Sequence, residues 1–275
     1  MSEDPHGERH WSKHTEYLKS LITAENSAII SDFDGTLSAF DPRPDGARIH
    51  HRSQSALDRL NEAGVRIALI SGRAAADLYS RFPRDEIIYY GNHGFERWRG
   101  GADGPNPDED SARAAITTLI DALDFSDLPG VITEPKGLTA TIHYRLAPNP
   151  AEVGHTIEHR LRPLTDSLGL RISPGQMIWD IKPAEPIDKG TALRSVVNEC
   201  GLRSVIFLGD DVTDLDAMDV LRDMTVNAAD LRGVSIGVVH PDSGPPDLAD
   251  HCTYFADGID DVADFLTWLA DCVRT

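Results

Sequence analysis

Two aspartates separated by one phenylalanine, Asp32 and Asp34, stand just past the apolar run SAIIS in SAIISDFDGTLSAF. Carboxylates this close repel each other, so their place at the end of a buried-looking strand calls for a compensating charge. Three more polar clusters follow strands or open helices. They are Ser71-Gly72-Arg73 after RIALI, Asp188-Lys189-Gly190 at a helix start, and GDDVTD (Gly209–Asp214) after SVIFL. Together they describe a phosphate site. Ser71 offers a hydroxyl hydrogen and Lys189 a cation, and the helix beginnings near Arg73 and Lys189 present backbone N–H groups to an anion. Mg²⁺ prefers hard oxygen ligands, and an ion among Asp32, Asp34 and Asp210 would offset the charge they share with a phosphate. Asp32 is then the candidate nucleophile. Asp34, two residues on and on the same side of an extended chain, is the candidate proton donor to the leaving oxygen. Asp211 and Asp214 are expected to orient water and Lys189 from behind. Each piece alone has an ordinary reading as a loop, turn, helix cap or solvated helix start. Their order along the chain, at strand ends and a helix start, is what makes the set specific.

Such residues need a sheet to gather them. In open α/β sheets ligands bind beyond the carboxyl ends of the strands. The spacing predicts strands at Ser27–Ser31, Val65–Ile70, Ile87–Tyr90, Ser204–Leu208, Met224–Asn227 and Ser235–Val239, with helices at His51–Ala63, Ala74–Arg81 and Thr191–Cys200. Near-continuous apolar runs such as RIALI and SVIFL suit strands buried on both faces. After Trp98 the segment RGGADGPNPDED reads as a linker. The stretch that follows predicts a helix (Ser111–Leu123), two strands (Gly130–Glu134, Leu138–Arg145), a second helix (Ala151–Leu168) and two more strands (Leu170–Ser173, Gln176–Ile181), with KPAEP as the return. The expected fold is α/β, a Rossmann-like parallel-sheet core over residues 1–100 and 184–275 with an inserted α+β cap domain over 101–183.

Composition narrows the function. A net charge of −19 argues against a nucleic-acid partner, for which a basic face is the expected footprint. The acidic balance and the preference for arginine over lysine fit either a GC-rich genome or a salt-adapted surface. No apolar run approaches the ~20 residues of a membrane span. The polar start MSEDPHGERHWSKH does not read as a signal peptide, and Cys200, Cys252 and Cys272 form neither a disulfide framework nor a zinc pattern, so the cytoplasm is the expected compartment.

DFDGTL (Asp32–Leu37), Ser71, Lys189 and GDD with Asp214 resemble the four motifs of the haloacid dehalogenase superfamily of phosphatases, and the insert lies where type-IIB members carry their cap. ISGR, YGNHGFE, EPKGLTATIHYR, IKPAEPIDKG and LGDDVTDLDAM are similar to the trehalose-6-phosphate phosphatase family over roughly Ser27 to Val239. That resemblance implies a Mg²⁺-dependent hydrolysis of a disaccharide phosphate, trehalose 6-phosphate, to trehalose and inorganic phosphate, with Glu134, Lys136, His143 and Arg145 gripping the sugar and a cap that closes over the core. Read from the residues alone, Glu134 and Lys136 would be a hairpin salt pair. His143 and Arg145, two apart on a strand, share a face. Gly72, Arg73, Asn92 and His93 fall at the mouth of the core. The family's glutamate before the return to the core is Asp180 here, one methylene shorter and still able to accept from a sugar hydroxyl. Any trehalose-phosphate synthase would be a separate chain. Another capped sugar phosphatase, acting on a glycosyl-phosphoglycerate or a sucrose phosphate, stays open, as do a phosphoacceptor signalling domain and a non-catalytic sugar-phosphate sensor.

Overall fold

The first strand, Ser27–Ser31, is buried at every residue, and its adjacent Ile29 and Ile30 enter two different hydrophobic clusters. Successive strand side chains leave on opposite faces, so this strand must be covered on both. The computed structural model describes residues 7–22, 26–40, 46–99, 107–135, 137–175, 177–184, 187–228, 230–241 and 243–273, without the side chains of 99 and 107–110. The chain divides into two compact units, Met1–Gly104 with Ile187–Thr275, and Pro105–Pro186.

The first unit begins with α1 (Thr15–Leu21), β1 (Ser27–Ser31), α2 (His51–Glu62), β2 (Arg66–Ile70), α3 (Ala75–Arg81), β3 (Ile88–Gly91) and β4 (Glu96–Arg99). The second unit contains α4 (Pro107–Ala122), β5 (Ile132–Pro135), β6 (Ala140–His143), α5 (Pro150–Ser167), β7 (Leu170–Gly175) and β8 (Ile178–Pro183). The chain then returns to the first unit for α6 (Lys189–Glu199), β9 (Ser204–Gly209), α7 (Val212–Asn227), β10 (Arg232–Val239), α8 (Leu248–His251), β11 (Tyr254–Asp257) and α9 (Gly258–Val273). Among the described residues the first unit's sheet has the order β11-β10-β9-β1-β2-β3-β4, parallel except where β4 runs antiparallel to β3. Its two faces are filled separately. Leu57 and Leu60 of α2 and Phe265 and Leu269 of α9 pack on one, and Leu193 and Val196 of α6 and Met218 and Leu221 of α7 on the other. The strand order runs outward from β1 in one direction through β2 and β3 and in the other through β9 and β10. That makes β1/β9 the topological switch point, where a crevice opens at the carboxyl ends.

The second unit is an antiparallel sheet in the order β5-β6-β8-β7, with Ile116, Leu119, Ile157 and Leu161 of α4 and α5 packed on one face against Ala140, Ile142, Trp179 and Ile181. The mixed α/β class, with a parallel core sheet and a separate antiparallel sheet, is therefore the expected one. One predicted strand is overturned. Met224–Asn227 is the last turn of α7, because it continues the spacing of Leu215, Met218 and Leu221, and its Val226 is 78% exposed where a core strand would bury it. The real strand after α7 is β10, which starts at Arg232. Beyond Val239 the structure adds α8, β11 and α9, the last marked by Val262, Phe265, Leu266 and Leu269 at helical spacing. Among the described residues no helix is long and apolar enough to cross a membrane.

Leu193→Ala empties a fully buried position between α6 and the sheet and should cost about 3 kcal/mol, a fall of roughly 6–12 °C in melting temperature. Val226→Ala, on an exposed helical turn, should change stability by no more than about 0.5 kcal/mol. Calorimetry of both variants checks the pair; a large loss at Val226 would contradict its helical, solvent-facing place.

Candidate active site

Asp32 follows β1 and Asp210 follows β9, so the two aspartates emerge side by side at the switch point. The Asp32 N–H donates to the Leu208 carbonyl at 2.9 Å, which ties the strand ends together. Lys189 is the first residue of α6, whose N-terminus is closed by a capping box: Asp188 accepts from the Thr191 N–H at 2.7 Å and the Thr191 hydroxyl accepts from the Asp188 N–H at 2.9 Å. From that anchored start the Lys189 ammonium donates to Asp32 Oδ1 at 2.7 Å and to Asp214 Oδ1 at 2.8 Å. Asp214 lies in the first turn of α7, and its Oδ2 accepts the N–H groups of Asp210 and Asp211 at 3.1 and 3.0 Å. Asp211 itself is the N-cap residue of α7 and accepts from Val212 N–H at 2.7 Å. The Thr36 hydroxyl donates to Asp210 Oδ1 at 3.0 Å.

The charges in this cluster do not balance. Asp32, Asp210 and Asp214 each bring a carboxylate oxygen to within 4.8 Å of the others, all three are buried, and the single Lys189 ammonium pairs with two of them. Burial raises Asp32 above the usual carboxylate range; Lys189 pulls it back, and the charge of Asp214 pushes it up again. Burial, then the charges of Asp32 and Asp214, push Asp210 up to about 8. Burial works against the Lys189 ammonium, yet the two aspartates outweigh it and hold the lysine above its ordinary value. An ion pair alone would have depressed Asp32. Burial keeps it raised against that pull, and three carboxylates facing one ammonium leave the site more negative than Lys189 neutralises. Hard oxygen donors with surplus negative charge in a small buried space fit Mg²⁺. Asp32 and Asp210 are the residues that would hold it, because both oxygens of Asp214 are already taken by Lys189 and two backbone donors.

Asp34 does not complete the carboxylate triad as its extended spacing implied. The chain turns after Asp32, with Gly35 at φ +83°, and Asp34 faces Arg73 instead. Arg73 Nε and Nη2 donate to its two oxygens at 2.6 and 2.7 Å, a bidentate pairing that fixes the carboxylate plane. Arg73 Nη1 donates to Asp77, which also accepts both ends of the Arg81 guanidinium. Ser71 is buried at the end of β2, where its hydroxyl oxygen accepts the Arg73 N–H at 3.3 Å. Asn92 and His93 both adopt left-handed backbone angles and clamp this loop, donating their N–H groups to Arg73 O and Ser71 O at 2.8 and 2.9 Å. The His93 ring lies over Gly72, where a Cβ would approach within 2.7 Å of it. Burial, then the Lys189 charge, lower the His93 pKa, while solvent still reaches part of the ring.

In the second unit β5 and β6 pair Ile132 with His143 and Glu134 with Thr141. His143 Nε2 and Glu134 Oε2 are 2.8 Å apart. Asp180 sits opposite Thr141 on β8 and accepts its hydroxyl at 2.8 Å. These side chains share the sheet face that α4 and α5 leave uncovered. A groove of about 590 Å³ there is bordered by Ile132, Glu134, His143, Arg145 and Leu146. β6 ends at His143, so Arg145 reaches this groove from the following turn, not from the strand. Lys136 lies outside the described residues.

The trehalose-phosphatase family model matches residues 30–249 of the chain. The chain belongs to the trehalose-phosphatase family. It is 34% identical over 260 residues to the trehalose-phosphate phosphatase of Mycobacterium avium (strain 104), covering 91% of this chain and 63% of that protein. The Mycobacterium marinum (strain ATCC BAA-535 / M) trehalose-phosphate phosphatase is 33% identical over 284 residues, covering 98% of this chain and 69% of that protein. The chain thus spans less than two thirds of the length of the M. avium relative. In fold it is similar to Aspergillus fumigatus trehalose-6-phosphate phosphatase, with a TM-score of 0.66 at 20% identity over 90% of this chain and 93% of that one. It is also similar to a haloacid dehalogenase-like hydrolase from Bacteroides thetaiotaomicron, with a TM-score of 0.58 at 15% identity over 89% of this chain and all of that one.

For this trehalose-phosphatase family member the geometry adds residues that the motif reading did not single out. Thr36 lies inside DFDGTL yet earns attention only from its bond to Asp210. Glu96 holds Asn92 Nδ2 at 2.6 Å and the Ala75 N–H at the start of α3 at 2.8 Å, and its place in YGNHGFE was the available signal. His240, whose Nε2 is 2.7 Å from the Gly35 carbonyl oxygen, belongs to no motif.

The raised carboxylates have a thermodynamic consequence. Native Asp210 holds its proton up to about 8, far above its unfolded value, so the folded state binds more protons than the unfolded one between those limits. Without metal, stability should therefore be highest in mild acid and fall as pH rises from about 5 to about 8. Mg²⁺ should remove most of that fall, since it binds the deprotonated carboxylates. Melting temperatures across this range, in chelator and in MgCl₂, test it. A chelator curve that rises with pH would contradict the raised pKa of the cluster.

Proposed function

We propose that this chain is a Mg²⁺-dependent phosphatase that hydrolyses trehalose 6-phosphate to trehalose and inorganic phosphate. The observation that carries the reading is the buried Lys189 ammonium shared by Asp32 and Asp214 beside Asp210, in a chain of the trehalose-phosphatase family. The relatives named trehalose-phosphate phosphatase support the choice of sugar.

Asp32 attacks phosphorus with a carboxylate oxygen. The new O–P bond forms as the bond from phosphorus to the sugar oxygen breaks, and Asp34 gives that oxygen its proton. A water then attacks the aspartyl-phosphate, Asp34 takes the water's proton, and the Asp32 O–P bond breaks to release phosphate. Two moderate steps replace one of the slowest uncatalysed hydrolyses. Arg73 fixes the plane of Asp34 for both proton transfers. Ser71, Lys189 and the N–H groups around Gly72 and Arg73 donate to the phosphoryl oxygens, and Asn92 and His93 brace that loop. Asp211 and Asp214 orient Lys189 and water. Mg²⁺, held by Asp32 and Asp210, would offset the negative charge that carboxylates and phosphate bring together. Glu134, His143, Arg145 and Asp180, with Lys136, supply the sugar contacts. On this reading the enzyme acts on a small-molecule sugar phosphate in the cytoplasm.

Phosphate release across a panel of trehalose 6-phosphate, sucrose phosphate and glucosyl-phosphoglycerate, each with Mg²⁺ and with chelator, tests the substrate. Trehalose 6-phosphate should lead and chelator should abolish turnover; a lead by either other sugar would replace the substrate. Asp32→Asn should lower kcat by at least about a thousandfold with its melting temperature retained, since it removes the nucleophile.

Glu134→Ala and Asp180→Ala should reduce kcat/KM for trehalose 6-phosphate by roughly tenfold or more and leave turnover of p-nitrophenyl phosphate within about threefold, because contacts remote from phosphorus serve only the larger substrate. Equal losses on both substrates would take these residues out of sugar recognition.

A further inference from the structure

The Asp210 carboxylate is approached by Thr36 and Gly35 from the turn after β1 and by His240 from the end of β10. Thr36 donates to Oδ1 at 3.0 Å. Gly35 lies so close on the other side that a Cβ there would fall 2.1 Å from Oδ2, and its φ of +83° is open to glycine at little cost. The third neighbour is His240, the residue after β10. β10 pairs with β9 in a register that sets Gly237 opposite Gly209, so the end of β10 rises beside Asp210. His240 Nε2 is 2.7 Å from the Gly35 carbonyl oxygen and 3.7 Å from Asp210 Oδ2. A carbonyl oxygen only accepts, so Nε2 carries the proton and donates it to Gly35. The ring is 17% exposed and meets Phe40 edge-on at 5.9 Å.

We propose that His240 is a positioning residue for the cation site: its Nε2–H clamps the Gly35 carbonyl, seats the Gly35 turn against Asp210 and so holds Oδ2 of that carboxylate in place. The same turn carries Asp34 at one end and Thr36 at the other, so one clamp sets the placement of a proton donor, an Asp210 partner and Asp210 itself. The inference rests on the Mg²⁺ site proposed above and not on the identity of the sugar. It concerns a hydrogen bond and not a change of charge on His240.

Titration calorimetry of MgCl₂ into metal-free protein, with no substrate present, reads this directly. His240→Ala should raise the Mg²⁺ Kd about tenfold, as loss of groups that support a ligand does. His240→Gln, whose side-chain amide still donates to Gly35 O, should stay within about threefold of wild type. Melting in chelator should differ little among the three. His240→Leu, similar in bulk and without a donor, should bind like His240→Ala, and it keeps the test open if the smaller side chain disturbs packing near Phe40. A wild-type Kd in His240→Ala, or His240→Gln as weak as His240→Leu, would overturn the proposal. If no sugar phosphate is turned over while Mg²⁺ binding still depends on a donor at position 240, the proposed function fails and this inference stands.

Discussion

Three carboxylates meet at one buried point beside a single lysine that pairs with two of them, and the strand ends and helix starts around it answer to that imbalance. A buried ion pair contributes little net stability, yet removing one partner costs about 3–5 kcal/mol because a charge is left alone. The pair of contacts from Lys189 to Asp32 and Asp214 is therefore a constraint that the fold must satisfy. It is satisfied by placing three separate chain segments within hydrogen-bond reach: the end of β1, the start of α6 and the first turn of α7. Raised carboxylates at a buried point are a cost to stability, and groups perturbed in this way gather at functional sites.

Backbone geometry carries the second part of the design. Gly35 permits the turn that brings Asp210 against the chain, and Gly94, at φ +110°, lets the Asn92–Gly94 turn approach the Asp188 carbonyl, where a Cβ would come within 2.7 Å. That turn touches the Ser71 loop with its N–H groups and the N-cap of α6 with its glycine, so the Ser71 loop and the start of α6 are braced by one short segment. Within that turn Asn92 and His93, neither a glycine, hold left-handed conformations, strain kept in place by the surrounding bonds and of the kind that gathers at functional sites.

The second unit divides its labour by face. Helices cover one side of its sheet and bury Trp179 and Ile181, while the other side presents Glu134, His143, Thr141 and Asp180 in cross-strand register. Pairing between them, Glu134 with His143 and Thr141 with Asp180, orders the polar groups before any ligand arrives. The shorter carboxylate at position 180 is held by a hydroxyl one strand over, which sets how far it can reach.

The core of this picture was legible in local sequence. β1, β9, α6 and the four polar clusters each have a period, a cap or a polar end that neighbouring residues determine, so Asp32, Ser71, Lys189 and Asp210 stand out without a structure. Local signals failed where two elements share a composition. Met-Thr-Val-Asn at 224–227 has strand-like residues, and only its burial, with Val226 facing solvent, makes it the end of α7. Other decisions needed distance across the sheet. Asp34 lies on one side of an extended tripeptide in sequence, but the turn at Gly35 and the charge of Arg73 draw it out of the carboxylate triad, and Asp214 takes the third place. The bonds of His240 to Gly35, 205 residues back in the chain, and of Glu96 to Ala75 at the start of α3 join segments that no local period or cap relates. The chain by itself determined which residues can do chemistry and the sheet ends that carry them, because periodicity and capping are short-range. Which carboxylates share the buried charge, and what holds them there, was decided by tertiary structure, because that depends on β1, β9 and β10 meeting at their carboxyl ends.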